Sequence, residues 1–194
     1  MNKVSPKVRK RIILFDFFGV LSTSVYTNVI RKFIQKKERN KWIKKIKNLD
    51  RGNISENDFI KAISKQSGIS EKNVWLEVLK QPKLNKKLIH FIEKKLKPSF
   101  TIGLLTNITR TLLERILSNK LDLFDIQIVS SDIGIIKPNI KIFRHALLKS
   151  KYAVSKIIFI DDGERNIKIA KNFGMHGIIY KNFNSFKKEI NQYI

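Results

Sequence analysis

Apolar and polar positions along this chain follow two patterns. Arg11-Ile12-Ile13-Leu14-Phe15 has no polar alternation, stops at Asp16, and passes into Phe17-Phe18-Gly19-Val20-Leu21. Such a run of branched and aromatic residues reads as a central strand of a parallel sheet, covered on both faces. Residues 22–97 change character, with helical spacing of apolar residues at 25–36, 41–49, 56–67, 71–79 and 85–96. Arg51-Gly52-Asn53 marks a turn, Ser55 and Ser70 stand as caps before acidic first turns, and Pro82 and Pro98 punctuate the end. From Pro98 onward strand and helix alternate: 100–105 then 109–117, 126–129 then 140–149, 157–160 then 164–173, and a last strand at 177–180. The expected fold is α/β, a parallel five-stranded sheet with right-handed crossovers. Residues 1–21 and 98–194 form its core domain, and 22–97 a helical insertion.

Composition narrows this picture in three ways. A chain of 194 residues suits one domain, or one domain with an insertion. No apolar run approaches the roughly 20 residues that cross a bilayer, and residues 1–10 are basic without the apolar stretch of a secretion signal. A cytoplasmic protein without a membrane partner is expected, as monomer or homodimer. The absence of Cys excludes disulfides, thiol catalysis and thiolate metal sites, so any metal must be held by oxygen or His. The three His, 90, 145 and 176, show no ligand spacing.

A formal charge of +24 would suit nucleic acid or an anionic membrane. The charge comes from 31 Lys and 9 Arg spread along the whole chain, a pattern closer to compositional bias than to a clustered, Arg-rich phosphate footprint. The densest stretch, 31–47, also carries Phe33, Ile34, Trp42, Ile43 and Ile46. It is expected to be a solvated helix face, with nucleic acid or another anionic partner as the alternative. Trp42 and Trp75 are expected to pack inside the insertion.

The candidate chemistry recurs at strand ends. Asp16 ends the first strand, where ligands of open parallel sheets collect, although an Asp there also serves simply to cap a turn. Thr106-Asn107 follows Leu104-Leu105 and precedes a helix, so a hydroxyl and backbone N–H groups face the same edge; ordinary capping reads equally well. Lys137-Pro138 holds its ammonium free to reach inward, although a single Lys among many is ordinarily solvent-facing. Asp161-Asp162 ends Ile157-Ile158-Phe159-Ile160, with Asn166 on the first turn of the next helix. Adjacent acids at a buried strand end cost desolvation unless a cation compensates them, which makes this pair the strongest metal signal in the chain.

In this order, Phe15-Asp16-Phe17-Phe18-Gly19-Val20-Leu21, Leu105-Thr106-Asn107, Lys137-Pro138 and Ile160-Asp161-Asp162 with Asn166 resemble the four motifs of the haloacid dehalogenase (HAD) superfamily. The helical segment lies where that superfamily inserts its first cap. Arg51-Gly52-Asn53-Ile54-Ser55-Glu56 and Ser131-Asp132-Ile133-Gly134-Ile135-Ile136-Lys137-Pro138 are similar to the helical-cap group related to sugar-1-phosphate phosphatases. The resemblance, over about residues 11–181, implies a Rossmann-like core and a phosphatase acting on a small phosphorylated molecule. Asp16 would attack phosphorus to form an aspartyl-phosphate that water hydrolyses. Mg2+ would be held by the Asp16 carboxylate, the Phe18 backbone carbonyl and Asp162, with Asp161 acting through water. Thr106 and the Asn107 backbone would hold phosphoryl oxygens, Lys137 would neutralise phosphate and nucleophile, and Asn166 would orient the acidic loop or Lys137. The dehalogenase branch, which attacks carbon without magnesium, would leave Asp161 and Asp162 uncompensated.

One position departs from the pattern. The residue two after the nucleophile is ordinarily an Asp that protonates the leaving group and activates water; here it is Phe18. A backbone carbonyl ligand survives that change, and a proton shuttle does not. The alternatives to an active enzyme are a weak or inactive homologue that binds a phosphorylated ligand and a basic nucleic-acid-associated protein.

Overall fold

The computed structural model describes residues 11–194. The basic segment 1–10, read above as lacking an apolar leader, lies outside the described residues. Five strands, β1 (Ile12–Phe15), β2 (Thr101–Thr106), β3 (Ile126–Val129), β4 (Ile157–Asp161) and β5 (His176–Ile179), form one parallel sheet in the order β3-β2-β1-β4-β5. Ile13 and Phe15 of β1 enter one apolar cluster while Ile12 and Leu14 enter the other, and all four are 0% exposed. A strand buried on both faces has no place for a polar residue until it ends, which is why its sequence lacks alternation. Phe15 lies level with Leu104 and Ile160, and the Asp16 N–H donates to the Ile160 carbonyl at 2.8 Å. β1, β2 and β4 therefore discharge their C-terminal residues at one edge, with β1 between the other two.

Between β1 and β2 lie α1 (Tyr26–Phe33), α2 (Arg39–Asp50), α3 (Glu56–Ser67), α4 (Glu71–Lys80) and α5 (Lys86–Phe91), the last continued by a π turn over Ile92–Leu96. The hydroxyls of Ser55 and Ser70 accept from the N–H of Asp58 and Asn73, so both expected caps form. The Phe59 ring stands edge-on to Tyr26 and Trp42, with centroids 5.0 and 5.6 Å apart, and centres the apolar interior of the insertion. Part of the basic stretch serves structure: Lys32 pairs with Glu77 at 2.6 Å, and the Arg39 guanidinium donates to the carbonyls of Arg31 and Ile34 at 2.7 and 3.1 Å. The remaining helices, α6 (Arg110–Leu117), α7 (Ser130–Ile133), α8 (Ile140–Ser150), α9 (Glu164–Asn172) and α10 (Phe183–Ile190), follow the strands. No helix among the described residues is long and apolar enough to cross a membrane.

The two chain segments that join the insertion to the core run side by side. The Thr23 N–H donates to the Lys83 carbonyl at 3.3 Å, the Lys83 N–H donates to Thr23 Oγ1 at 3.0 Å, and Ser22 forms an antiparallel bridge with Leu84. Beyond this neck, Phe91 packs against Phe183 and Phe186 of α10, with ring centroids 5.5 and 6.2 Å apart. α5 thus packs in the layer that covers the sheet, while the two joining segments pair at Ser22 and Leu84. Helical periodicity is the same on either side of that neck, so the pattern of apolar residues carries no mark of the change.

Candidate active site

Lys137 ties the sheet edge together. Its ammonium lies 2.7 Å from Asp16 Oδ1 and 2.6 Å from Asp161 Oδ2, and the residue is only 3% exposed. The solvent-facing alternative for this Lys is thereby overturned. Asp161 is committed on both oxygens, for its Oδ1 accepts from the Gly163 N–H at 2.7 Å and from Asn166 Nδ2 at 2.8 Å. Asn107 Oδ1 accepts from the Lys137 N–H at 2.8 Å, and its Nδ2 donates to the Lys137 carbonyl at 3.1 Å. The Asn107 side chain therefore clamps the lysine loop across the gap between β2 and the segment after β3, a function not foreseen for it. Thr106 is fully buried, and its Oγ1 has no hydrogen-bond partner. A buried hydroxyl without a partner is costly unless a ligand completes it.

Carboxylate oxygens of Asp16, Asp161 and Asp162 lie within 4.8 Å of one another. With every carboxylate ionised and Lys137 as the cation among them, the cluster would carry two negative charges in excess. Burial pushes Asp16 up to about 7 against the pull of Lys137, and Asp161 adds to the rise. Asp162 is pushed up by its own partial burial and by Asp161. Burial alone would lower Lys137, but Asp16 and Asp161 outweigh it and hold the ammonium above its ordinary value. These residues fit a divalent cation: hard oxygen donors converge, and two negative charges remain to be offset. Gly19 makes the convergence possible, because at φ +84° its missing Cβ would fall 2.0 Å from Asp162 Oδ2.

The loop after Asp16 turns sharply. The N–H groups of Leu21 and Ser22 both donate to the Phe17 carbonyl at 2.9 Å, and Phe18 stands edge-on to Phe17 with centroids 5.2 Å apart. The helix expected after Thr106-Asn107, at 109–117, is α6: it starts at Arg110, and its cap is Thr109, whose hydroxyl accepts from the Leu112 N–H. That same hydroxyl donates to Glu56 of the insertion, so the helix terminus near the β2 edge is spent on joining cap to core.

On the cap side, a cavity of about 170 Å3 is lined by Asp16, Phe18 and Asn107 from the core and by Tyr26, Ile46 and Asp50 from the insertion. Asp50 and Tyr26 were not singled out in the sequence. Asp50 carried a signal nonetheless, because it ends α2, where the helix dipole disfavours an anion. Burial pushes its carboxyl up to about 7, against the opposing charges of Arg51 and Lys137. The Tyr26 hydroxyl is buried without a hydrogen-bond partner. Burial and the nearby Glu56 both raise it, keeping its proton in place. Trp42 is cap interior as expected, whereas Trp75 lies partly open beneath the Arg115 guanidinium, 4.9 Å from its ring centroid.

The sheet order, the inserted helices and the lysine-bridged acids define an open α/β fold with its site at the strand ends. The chain belongs to the haloacid dehalogenase-like hydrolases, whose family model matches residues 10–174. It is 19% identical to the HAD family enzyme BT-2542 from Bacteroides thetaiotaomicron, with a TM-score of 0.79 over 95% of this chain and 98% of that one. The same enzyme in complex with magnesium and inorganic phosphate superposes with a TM-score of 0.74 at 20% identity, over 88% of this chain and 94% of that one. A HAD-like family hydrolase from Porphyromonas gingivalis is 25% identical, with a TM-score of 0.75 over 96% of this chain and 98% of that one. Among curated proteins, drimenol cyclase drtB from Aspergillus calidoustus is 23% identical over 149 residues, 73% of this chain. The chain spans only 28% of that relative's length.

Proposed function

We propose that this hydrolase is a magnesium-dependent phosphomonoesterase acting on a small phosphorylated metabolite through an aspartyl-phosphate. The observation that carries the reading is the Lys137 ammonium shared between Asp16 and Asp161 beside Asp162. Asp16 is fixed for attack on phosphorus by Lys137 and by the Phe17 N–H, which donates to its Oδ1 at 2.6 Å. Thr106 Oγ1 and the Asn107 N–H would receive the phosphoryl oxygens, and Lys137 would lower the charge between phosphate and nucleophile. Asp161 and Asn166 act at one remove, holding Lys137 and the acidic loop in place. Asp16, Asp162 and the Phe18 carbonyl would hold Mg2+, which when bound offsets the carboxylate charge and the charge of the phosphoryl group. The magnesium and phosphate complex of BT-2542 supports the choice of ion and of substrate class. The uncompensated acids weigh against the dehalogenase chemistry that also gives the superfamily its name.

Phe18 favours a second reading, a homologue that binds phosphate and turns it over weakly. A screen of sugar phosphates, nucleotides and an aryl phosphate, with and without magnesium, separates the two. The phosphatase reading expects magnesium-dependent release of phosphate that Asp16→Asn abolishes. Tight binding of inorganic phosphate without turnover would favour the second reading, and salt-sensitive RNA binding that survives Asp16→Asn would favour neither.

A further inference from the structure

We propose that Asp50, at the end of α2 in the cap, supplies the leaving-group proton that position 18 cannot supply. The inference rests on the phosphatase reading and deepens it. Among the described residues, two acids line this cavity: the nucleophile Asp16 from the sheet edge and Asp50 from the insertion. The rest of the wall is polar but neutral, or apolar as at Phe18 and Ile46, and has no carboxyl to share this work.

Two features fix the backbone of Asp50. Ser130 Oγ donates to its carbonyl at 2.5 Å and accepts from the Ile108 N–H at 3.0 Å, so one hydroxyl pins the end of α2 to the loop that follows Thr106-Asn107. Gly52 lets the chain turn away at once. At φ +73° it sits where a Cβ would lie 2.9 Å from the Ser131 carbonyl oxygen, an approach open only to glycine. The charged and titratable groups around Asp50 are Arg51, which follows it at the end of α2, Lys137 and Asp16 from the core, and Tyr26 on α1. Burial raises the Asp50 carboxyl to about 7, so its protonated form is populated near neutrality, as a general acid requires.

In the first step an Asp16 oxygen bonds to phosphorus and the bond from phosphorus to the ester oxygen breaks. Its electron pair stays on that oxygen, which takes the proton of Asp50 and departs as an alcohol. In the second step water enters where the alcohol left and gives a proton to the Asp50 carboxylate. Its oxygen bonds to phosphorus, and the bond to Asp16 breaks to return the carboxylate and inorganic phosphate. Entry and departure occur at the same apical position, so one residue serves both steps.

The test is a series of phosphomonoesters running from 4-nitrophenyl phosphate to alkyl and sugar phosphates, assayed with saturating magnesium. Wild-type kcat/KM should depend only shallowly on the leaving group, because protonation relieves the developing alkoxide. Asp50→Asn should cost about 10²–10³-fold on alkyl esters and less than about threefold on 4-nitrophenyl phosphate, steepening that dependence. Thermal melting and inorganic phosphate affinity check that the variant is folded with its phosphate site intact. A steep dependence in the wild type, needing no variant, overturns the proposal. An equal loss across the series, or no loss, overturns it also. If the wild type hydrolyses none of the series, the phosphatase reading itself has failed and the assignment falls with it.

Discussion

The two walls of the site are built on opposite principles. On the sheet side the buried charged groups are held: Lys137 bridges Asp16 and Asp161, and Asn107 and Asn166 brace the loops that carry them. On the cap side Asp50 and Tyr26 stand among apolar and neutral polar residues, and the Tyr26 hydroxyl has no hydrogen-bond partner. A braced wall suits chemistry that must not reorganise during reaction. A wall with uncommitted polar groups suits a departing fragment, which arrives, changes protonation and leaves.

Substitutions can break or sharpen this contrast. The largest effect is expected at Asp16→Asn, which should remove turnover by on the order of 10⁴-fold or more while leaving circular dichroism unchanged. Lys137→Met comes next. It leaves Asp16 and Asp161 buried without their cation, so denaturant unfolding should show a loss of about 3–5 kcal/mol without magnesium, part of it recovered on adding the ion. In an Asp50→Asn background, Phe18→Asp should restore hydrolysis of alkyl phosphates by about tenfold or more, because it returns a proton donor to the sheet side. A double variant no faster than Asp50→Asn alone would show that the walls cannot exchange this task.

Smaller effects concern stability. Because the folded-state Asp50 carboxyl is raised from 3.8 to about 7, the folded protein holds that proton more tightly than the unfolded chain does. Its contribution is complete below the lower value and is lost as pH rises through the upper one. Asp50→Asn cannot ionise. Its melting temperature should therefore gain on the wild type by several degrees between about pH 5 and about pH 8. The smallest change is expected from Tyr26→Phe, which removes an unpartnered hydroxyl and should leave unfolding free energy unchanged or raised by no more than about 1 kcal/mol.

How much of this could be read from the sequence depends on how local each feature is. β1 and β4 announce themselves because burial on both faces demands an unbroken apolar run, and Asp16 and Asp161 stand where those runs stop. Lys137 is one of 31 lysines, and only its place in an ordered set of motifs distinguished it before the structure showed it buried. The side-chain clamp of Asn107 was not legible, because the loop it grips lies 30 residues away. Asp50 stayed hidden for the same reason. What makes it chemical is the docking of the cap over the strand ends, and the one local trace is an acid at the wrong end of a helix. The packing of α5 on α10 was not legible either, because α5 shares its periodicity with the helices before it.

The neck gives the insertion a further property. Because Ser22 and Leu84 already pair as neighbouring backbone, a short turn could join them and bypass the four helices between, with the strands on either side left where they are. Long insertions at such a junction add little closure entropy. The helices are in this sense a replaceable module, and lineages could exchange them to change what the enzyme accepts while inheriting Asp16, Lys137 and Asp161 untouched. The exchange would also carry away Asp50, so each new module would have to bring its own proton donor or recover one at position 18.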